Sequence, residues 1–225
     1  ESAIQQVLKY IELHDIELII VESNSNDGTR EIVKKFENVN GVSIIFQDFP
    51  KGKGYAVKEG LRIASKDIIC IFDADLEYIF EDIFELVKPI LSGEQNFVLG
   101  SRWAGHSIRD FDNQSWRAIF LNFMHILGAS VINIGFGIKT KDPFTMWKVF
   151  TRKSIDGIIF QSDRFDLDLE IIGELALRNI KPIEKPVSYK SRDYSQGKKI
   201  NFKNEAPILL RVVLRLIKKR FLRYI

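Results

Sequence analysis

The sequence predicts an α/β fold in which a mainly parallel sheet is flanked by helices. Short apolar runs rich in β-branched residues alternate along the chain with amphipathic helical patterns, and this alternation is typical of strand–helix–strand units with right-handed crossovers. The first four apolar runs are nearly uninterrupted, as expected of strands that are covered on both faces. With 225 residues, the chain is long enough for one domain with a substantial core.

The elements follow from these patterns in chain order. The predicted strands span residues 16–21, 42–47, 67–72, 97–100, 146–150 and 182–189. The predicted helices span residues 2–13, 27–36, 54–64, 80–91, 115–132, 166–178 and 206–224. We expect a main domain over residues 1–203 and a basic amphipathic helix over residues 204–225.

The segments that follow the first four strands should share one edge of the sheet. They read ESNSNDGT, DFPKGKGY, DADLEY and SRWAGH. In sheets of this kind, ligands bind beyond the carboxyl ends of the strands. This edge is therefore where the sequence predicts a functional site.

The third of these segments is acidic, with Asp73, Asp75 and Glu77 at i, i+2 and i+4 after an apolar strand. In an extended backbone the three carboxylates would point to one side. Such hard oxygen ligands suit Mg²⁺ or Mn²⁺, with substrate phosphates and water completing the coordination. The alternative is a polar strand end whose acids cap the helix at residues 80–91. Buried carboxylates are rare unless they are paired or metal-bound, which favours the metal site.

Two further segments at this edge each have a functional and a structural interpretation. Glu22 and Ser23 end the first strand and could hydrogen-bond a base or ribose, whereas Asp27 is a good residue to begin a helix. Lys53 lies between two glycines just before a helix, where a phosphate could bind. The spacing is not that of a Walker loop, and a solvated lysine loop is the alternative.

Basic residues recur in the second half of the chain. Residues 191–202 include Arg192 and Lys199 around a glycine, and this loop could close over phosphates or be a plain surface loop. Arg102 and Arg117 leave the same two interpretations open. Residues 206–225 carry six cations and no acid. Such a helix suits an anionic membrane surface, a docked position with a solvated basic face, or nucleic acid.

Composition excludes several classes of protein. The chain is 45% hydrophobic and 28% charged, which is the profile of a globular protein rather than a disordered one. A single cysteine excludes an intrachain disulfide. No signal peptide is recognisable, and no uninterrupted apolar run approaches the ~20 residues of a bilayer span. Because the chain opens on a helical pattern at Glu1, we expect it to be a fragment of a longer polypeptide.

Taken together, the motifs resemble those of family 2 glycosyltransferases with the type A nucleotide-sugar fold. The branch they resemble contains dolichol-phosphate mannosyltransferases and bacterial polyprenyl-phosphate glycosyltransferases. In order, the motifs are IIVESNSNDGT, FPKGKGYAVKEGLRIAS, IICIFDADLEY, VLGSRW, DPFTMWKVF and PIEKPVSYKSRDYSQGKKI, and they cover nearly the whole chain. The sequence departs from the family at Glu22 and Ser23, which replace two aspartates, and at FTMW. The family's opening strand is absent.

The resemblance implies a Rossmann-like nucleotide-sugar-binding sheet and a set of site residues. The metal ligands it implies are Asp75, Asp73 and Glu77. The nucleotide-sugar contacts it implies are Glu22, Ser23, Asp27, Lys53, Asp73, Ala74, Asp75 and Arg102. The residues it implies for the reaction are Asp73, Asp75, Arg117, Arg192 and Lys199, the last three holding phosphates.

The resemblance further implies a metal-dependent, inverting transfer from a UDP- or GDP-sugar to a polyprenyl or dolichyl phosphate. The enzyme would work at the cytoplasmic face of a membrane, with peripheral contact through the basic C-terminal helix. The alternative is transfer to a sugar hydroxyl in glycan assembly, which needs a general base. The segment FDLDLE offers Asp166, Asp168 and Glu170 for that role, although the same acids could begin a helix, and Asp168 is the candidate that we retain.

A third interpretation comes from a different class, a non-catalytic module that binds nucleotide-sugar or nucleic acid. The basic C-terminal helix alone would permit nucleic-acid binding. The acidic motif at Asp73 would repel a nucleic-acid backbone, so we expect no nucleic-acid partner. The sequence predicts no particular oligomeric state.

Overall fold

A computed structural model describes residues 1–103, 116–190 and 202–222, except for the side chains of residues 117, 118 and 202–206. The strands are β1 (Leu18–Glu22), β2 (Val42–Phe46), β3 (Ile68–Ile71), β4 (Phe97–Ser101), β5 (Lys148–Thr151) and β6 (Ile183–Pro186). The helices are α1 (Ser2–His14), α2 (Thr29–Lys34), α3 (Lys53–Ile63), α4 (Ile83–Leu91), α5 (Trp116–Phe136), α6 (Arg152–Ile155), α7 (Leu167–Leu177) and α8 (Phe202–Leu222). A 3₁₀ turn, Phe80–Asp82, precedes α4.

The predicted α/β class is confirmed, and each predicted strand and helix is present near its predicted position. The strands form two sheets, a parallel pair β1–β2 and a four-stranded sheet in the order β3–β5–β4–β6. The larger sheet is mixed, because β5 runs antiparallel to both β3 and β4 while β4 and β6 are parallel. The short helix α6 was not among the predicted elements.

The direction of β5 decides which residues lie at the ligand edge. Since β5 enters the sheet where β3 and β4 leave it, its first residue, Lys148, lies opposite Ile71 and Leu99 near the ends of those strands. The chain just before β5 is bound to the end of β4, because the Gly100 N–H donates to the Trp147 carbonyl oxygen. Residues 142–148 therefore belong to the same edge as the acidic motif.

Side chains alternate across the four-stranded sheet, as strand geometry requires. Phe97 and Leu99 face a cluster that also contains Ile132 of α5, Ile172 of α7 and Leu216 of α8. Val98, on the opposite face, packs in a second cluster with residues of α4. The sheet is thus covered by α4 on one side and by α5, α7 and α8 on the other.

Candidate functional site

Four charged side chains from different elements meet at the ligand edge of the four-stranded sheet. Lys53 begins α3, Asp73 follows β3, Lys148 begins β5 and Asp168 lies in the first turn of α7. The Lys53 Nζ lies 3.0 Å from Asp73 Oδ1 and 3.8 Å from Asp168 Oδ2. The Lys148 Nζ lies 3.2 Å from Asp168 Oδ1. We refer to these four residues as the lysine–aspartate cluster.

The two lysines of the cluster differ in their electrostatic environment. Burial by itself lowers the pKa of Lys53, but Asp168 and Asp73 outweigh burial and raise it. At Lys148, which is 0% exposed, burial dominates and lowers the pKa although Asp168 acts in the opposite direction. The Lys148 ammonium also donates to the Thr145 carbonyl oxygen. Lys148 is therefore an internal member of the cluster, whereas Lys53 and Asp73 keep part of their surface open to a ligand.

The acidic motif turns instead of continuing as a strand. Leu76 has a φ of 62°, and the Asp75 Oδ1 accepts the Glu77 backbone N–H at 3.1 Å. The Glu77 carboxylate accepts a hydrogen bond from the Tyr189 hydroxyl at 2.9 Å. The extended backbone that the sequence interpretation assumed is therefore wrong for this segment, and the argument for Glu77 as a third metal ligand loses its geometric basis.

Asp73 and Asp75 supply a donor set that suits a shared metal site. In the described part of the chain, no group of three or more His, Cys, Asp or Glu side chains is arranged to hold a metal ion. Mg²⁺ is commonly held by one or two carboxylates and completes its coordination with water and substrate phosphates. Asp73 and Asp75 are both partly exposed and are separated by one residue, so their carboxylates fit that mode of binding for Mg²⁺ or Mn²⁺.

The residues at the end of β1 are engaged in their own loop. Glu22 is 3% exposed; one carboxylate oxygen accepts a backbone N–H of this loop at 2.6 Å, and the other lies 3.5 Å from Arg30 Nη1. The Ser23 hydroxyl donates to Gln47 Oε1 at 2.8 Å. Asp27 accepts the backbone N–H two residues later, at 3.1 Å, in the turn that begins α2. These contacts hold the loop together whether or not a ligand binds. They therefore do not test the predicted contact of Glu22, Ser23 and Asp27 with a nucleoside, which stays a prediction.

The glycines on either side of Lys53 permit a close approach to protein backbone. A Cβ on Gly54 would lie 2.6 Å from the Arg164 carbonyl oxygen, and one on Gly52, whose φ is +107°, would lie 2.4 Å from the Asp163 carbonyl oxygen. The Tyr55 N–H donates to that same Asp163 oxygen at 2.9 Å. The glycines thus fix the start of α3 against the loop that leads into α7, which places Lys53 beside Asp168.

Arg102 lies at the same edge but in a separate, closed ion pair. Its Nε and Nη2 donate to the two carboxylate oxygens of Asp142 at 2.8 Å each, and its backbone N–H donates to Asp142 Oδ2 at 3.0 Å. His125 Nε2 lies 3.6 Å from the same carboxylate. Burial raises the pKa of Asp142, but Arg102 outweighs it and lowers the pKa overall. These contacts give Arg102 a structural partner. They do not support the predicted contact between Arg102 and a phosphate of the donor.

The acids of FDLDLE divide between two roles. Only Asp168 joins the lysine–aspartate cluster. Asp166 accepts the Arg164 backbone N–H at 3.0 Å in the turn before α7. Glu170 accepts the Ser162 backbone N–H at 2.8 Å and pairs with Arg215 of α8 at 2.6 Å. The helix-start interpretation thus describes Asp166, whereas the candidate base Asp168 lies in the site.

Three predicted phosphate ligands cannot be placed. Arg192 and Lys199 lie outside the described residues, as does the side chain of Arg117, although its backbone belongs to α5. These three assignments stay predictions.

Sequence reasoning missed Lys148 and Asp142. The signal for Lys148 was present, since it is the one charged residue in the apolar run FTMWKVF, and a lysine inside a buried strand requires a partner. Asp142 gave no comparable signal, because its partner lies 40 residues earlier in the chain.

Comparisons with known proteins show what this chain is similar to. The model of the family described as Glycosyl transferase family 2 matches residues 1–158. The low-salt glycan biosynthesis hexosyltransferase Agl6 of Haloferax volcanii is 26% identical over 198 residues, which are 86% of this chain and 46% of that protein. The dolichol-phosphate mannosyltransferase of Mycosarcoma maydis is 27% identical over 198 residues, 85% of this chain and 65% of that protein. The chain thus spans only about half to two thirds of these relatives.

Among solved structures, the chain is similar to a mannosyltransferase of Pyrobaculum calidifontis in complex with GDP-Man and Mn²⁺. The TM-score is 0.53 at 16% identity, and the match covers 97% of this chain and 70% of that chain. At this identity the likeness shows the fold alone, and it confirms the type A fold that the motifs implied.

Proposed function

The chain belongs to glycosyl transferase family 2, and on this premise we propose that it transfers a sugar from a UDP- or GDP-sugar to a polyprenyl or dolichyl phosphate. The observation that carries the proposal is the lysine–aspartate cluster beside Asp75, at the ligand edge of the sheet. The relative named for dolichol phosphate supports this acceptor. The fold neighbour solved with GDP-Man and Mn²⁺ supports this class of donor and of metal.

In this proposal Asp73, Ala74 and Asp75 form the donor-binding segment, and the two aspartates hold Mg²⁺ or Mn²⁺. When bound, the metal supplies Lewis-acid neutralisation of the diphosphate leaving group. Within the lysine–aspartate cluster, Lys53 is the cation that can turn to the donor, because Lys53 and its partner Asp73 are both partly exposed and the raised pKa of Lys53 keeps it charged. Lys148 stays with Asp168, so that this carboxylate does not depend on Lys53 alone for a counter-charge.

The transfer step is a displacement at the anomeric carbon of the sugar. An oxygen of the acceptor phosphate forms the new bond while the bond to the nucleoside diphosphate breaks, with inversion. The nucleophile is already anionic, so the step needs no strong base. Arg117, Arg192 and Lys199 are the residues that we propose hold the acceptor phosphate, through charge-assisted hydrogen bonds.

A sugar hydroxyl is the second candidate acceptor, because Asp168 lies in the cluster. A general base must reach the proton that it removes. Both oxygens of Asp168 face lysine ammonium groups, at 3.2 Å and 3.8 Å. One lysine would have to move before this carboxylate met a hydroxyl, and this geometry favours the phosphate acceptor.

Contact with the cytoplasmic face of a membrane belongs to the same proposal, since polyprenyl phosphates are membrane lipids. The basic helix α8 contributes less free charge than its sequence suggested. Arg215 and Lys219 are paired with Glu170 and Glu174 of α7, and Arg220 donates to carbonyl oxygens of α5. The same pairing leaves less basic surface for nucleic acid.

The test is a donor and acceptor screen. The protein is incubated with UDP- and GDP-sugars, Mn²⁺ and a short polyprenyl phosphate, and the release of nucleoside diphosphate and the lipid product are followed by mass spectrometry. We expect a glycosylated lipid phosphate that disappears with EDTA. Two results together would favour a hydroxyl acceptor instead. The first is donor hydrolysis without lipid product, and the second is glycosylation of an added sugar that is lost in Asp168→Asn. No turnover and no donor binding would reject both.

A further inference from the structure

Helix α5 presents a broad apolar face to solvent. Nine large apolar side chains along it are between 40% and 82% exposed. They are Trp116, Ile119, Phe120, Phe123, Met124, Ile126, Leu127, Val131 and Ile134. At about 100° per residue these positions form one continuous arc, roughly 160° wide, and Ser130 is the one other residue within it. The helix has 21 residues, so the arc runs for about 30 Å.

The opposite side of the C-terminal half of α5 packs against the domain. His125, Ala129, Ile132 and Phe136 are buried and recur at i, i+4, i+7 and i+11, which is one face of a helix. At the C-terminal end, Arg220 of α8 donates to two backbone carbonyl oxygens of α5. The helix is therefore held as part of the domain and lies along its surface.

The exposed apolar area is in the range that marks a contact site. An aromatic side chain offers ~150–250 Å², so the three aromatic residues of the arc alone expose about 400 Å² at 50% to 80% exposure. Contiguous apolar patches beyond a few hundred Å² mark sites of protein or membrane contact. Residues Ile119–Phe136 are also the one segment, in the part of the chain that the structure describes, with the length and hydropathy of a membrane span. Because the C-terminal half of this segment packs against the domain, we assign its apolar outer face, rather than the whole helix, to contact with lipid.

The neighbouring helix α8 supplies matching charge. Its buried residues Val212, Val213 and Leu216 join the same core cluster as Ile132 and Phe136 of α5, so the outer faces of both helices lie on the same side of the sheet. The exposed side of α8 carries four large apolar side chains and two cations that form none of the ion pairs described above. They are Leu210, Leu214, Phe221, Leu222, Arg211 and Lys218. No acid occurs over residues 206–222, and an apolar face flanked by cations is the pattern of a helix that lies in the interface of an anionic bilayer.

We propose that the outer arc of α5, flanked by the exposed side of α8, lies in the interfacial layer of an anionic membrane and is the main lipid contact of this protein. The proposal rests on the proposed function, because it gives the transferase a position at the surface where its lipid phosphate lies. It assigns the contact chiefly to apolar burial by α5, whereas the charge pattern of the sequence pointed to α8.

The test is vesicle flotation of the full 225-residue chain. The probes are vesicles of phosphatidylcholine alone and of phosphatidylcholine mixed with phosphatidylglycerol. Phe120→Ser together with Phe123→Ser should lower partitioning into both by about tenfold or more, since apolar area no longer enters the bilayer. The matched control is Leu91→Ser together with Ile159→Ser, at residues 73% and 87% exposed outside the arc, and we expect no change. Arg211→Gln with Lys218→Gln should weaken binding to the anionic vesicles alone.

Several outcomes would overturn the surface assignment. One is absence of vesicle binding by the wild-type chain, and another is equal binding by the arc variant and its control. A lipid-free dimer that Phe120→Ser and Phe123→Ser disperse, seen by light scattering, would instead assign the arc to a second copy of the chain. Binding of donor nucleotide-sugar without vesicles is measured in parallel. If the chain binds vesicles but not the donor, the membrane surface is supported and the proposed function is rejected. If the chain binds the donor but not vesicles, only the membrane surface is rejected.

Discussion

The lysine–aspartate cluster and the Arg102–Asp142 pair lie at the same edge of one sheet, but their charges are matched in different ways. In the pair, Asp142 is 0% exposed and receives three N–H groups of Arg102 at 2.8 to 3.0 Å. In the cluster, the lysine and aspartate atoms lie 3.0 to 3.8 Å apart, and Lys53 and Asp73 are partly exposed.

The difference indicates which of the two can exchange partners. A planar guanidinium fits a carboxylate in two parallel hydrogen bonds, and such a pair fixes a loop. A lysine ammonium is a point charge on a flexible stem. Lys53 can leave Asp73 for a phosphate without stranding a fully buried charge, because Asp73 is partly exposed and Asp168 keeps Lys148. We therefore infer that the Arg102–Asp142 pair stabilises the fold and that the lysine–aspartate cluster binds the ligand. Each prediction below tests that division.

The largest effect is expected from Asp75→Asn. The asparagine keeps an oxygen for the Glu77 N–H, so the turn should persist. Loss of one metal-binding charge should lower turnover by about 10³-fold, because the metal contributes several kcal/mol to the transition state. Steady-state kinetics measures turnover, and thermal unfolding serves as the control. Activity within tenfold of the wild type would remove Asp75 from the site.

The next effect is on stability, from Asp142→Asn. This variant leaves the Arg102 guanidinium buried beside a neutral group, which costs about 3–5 kcal/mol in the free energy of unfolding. Urea unfolding measures the loss. Arg102→Met combined with Asp142→Leu should recover most of it, since apolar replacement of a buried pair is often neutral. A loss below about 1 kcal/mol in the single variant would show that the pair is not a structural element.

The loss of folding stability at acid pH should depend on Asp142 as well. Because the pKa of Asp142 is lower in the folded chain than its ordinary value of 3.8, the unfolded chain binds its proton first as pH falls. The contribution of Asp142 is therefore complete above about pH 4 and is lost as pH falls through the folded pKa. Urea unfolding at a series of acid pH values should show a shallower loss of stability in Asp142→Asn. An unchanged loss would mean that other carboxylates control acid unfolding.

The smallest effect is expected from Lys148→Met. Methionine matches the length of the lysine stem and Asp168 keeps Lys53 as a counter-charge, so the loss of stability should be smaller than that of Asp142→Asn. Asp168 would then have Lys53 as its one cation within the cluster. That should hold Lys53 away from the donor and raise KM for the donor several-fold. Lys58→Met, which removes the exposed pair with Asp163, is the matched control and should leave KM unchanged. Equal KM values in both variants would restrict Lys148 to packing.

Local patterns predicted the elements and the position of the site, while non-local pairing could not be predicted. The apolar run before Asp73 identified both the strand and the edge, because both depend on neighbouring residues. The turn at Leu76 depends on a left-handed backbone that its residue type does not favour, so an extended segment was expected there. The partner of Arg102 is set by the antiparallel entry of β5, which no local pattern specifies. The apolar pattern of α5 likewise could not show that only one of its sides is covered.

The most direct test of the division between pair and cluster is calorimetric titration with a GDP- or UDP-sugar in the presence of Mn²⁺. Asp73→Asn and Asp142→Asn are compared at a temperature where circular dichroism shows both to be folded. The division predicts that Asp73→Asn loses donor binding and that Asp142→Asn keeps the wild-type Kd. Retained binding in Asp73→Asn, with binding lost in Asp142→Asn, would contradict it and place the donor at the Arg102–Asp142 pair.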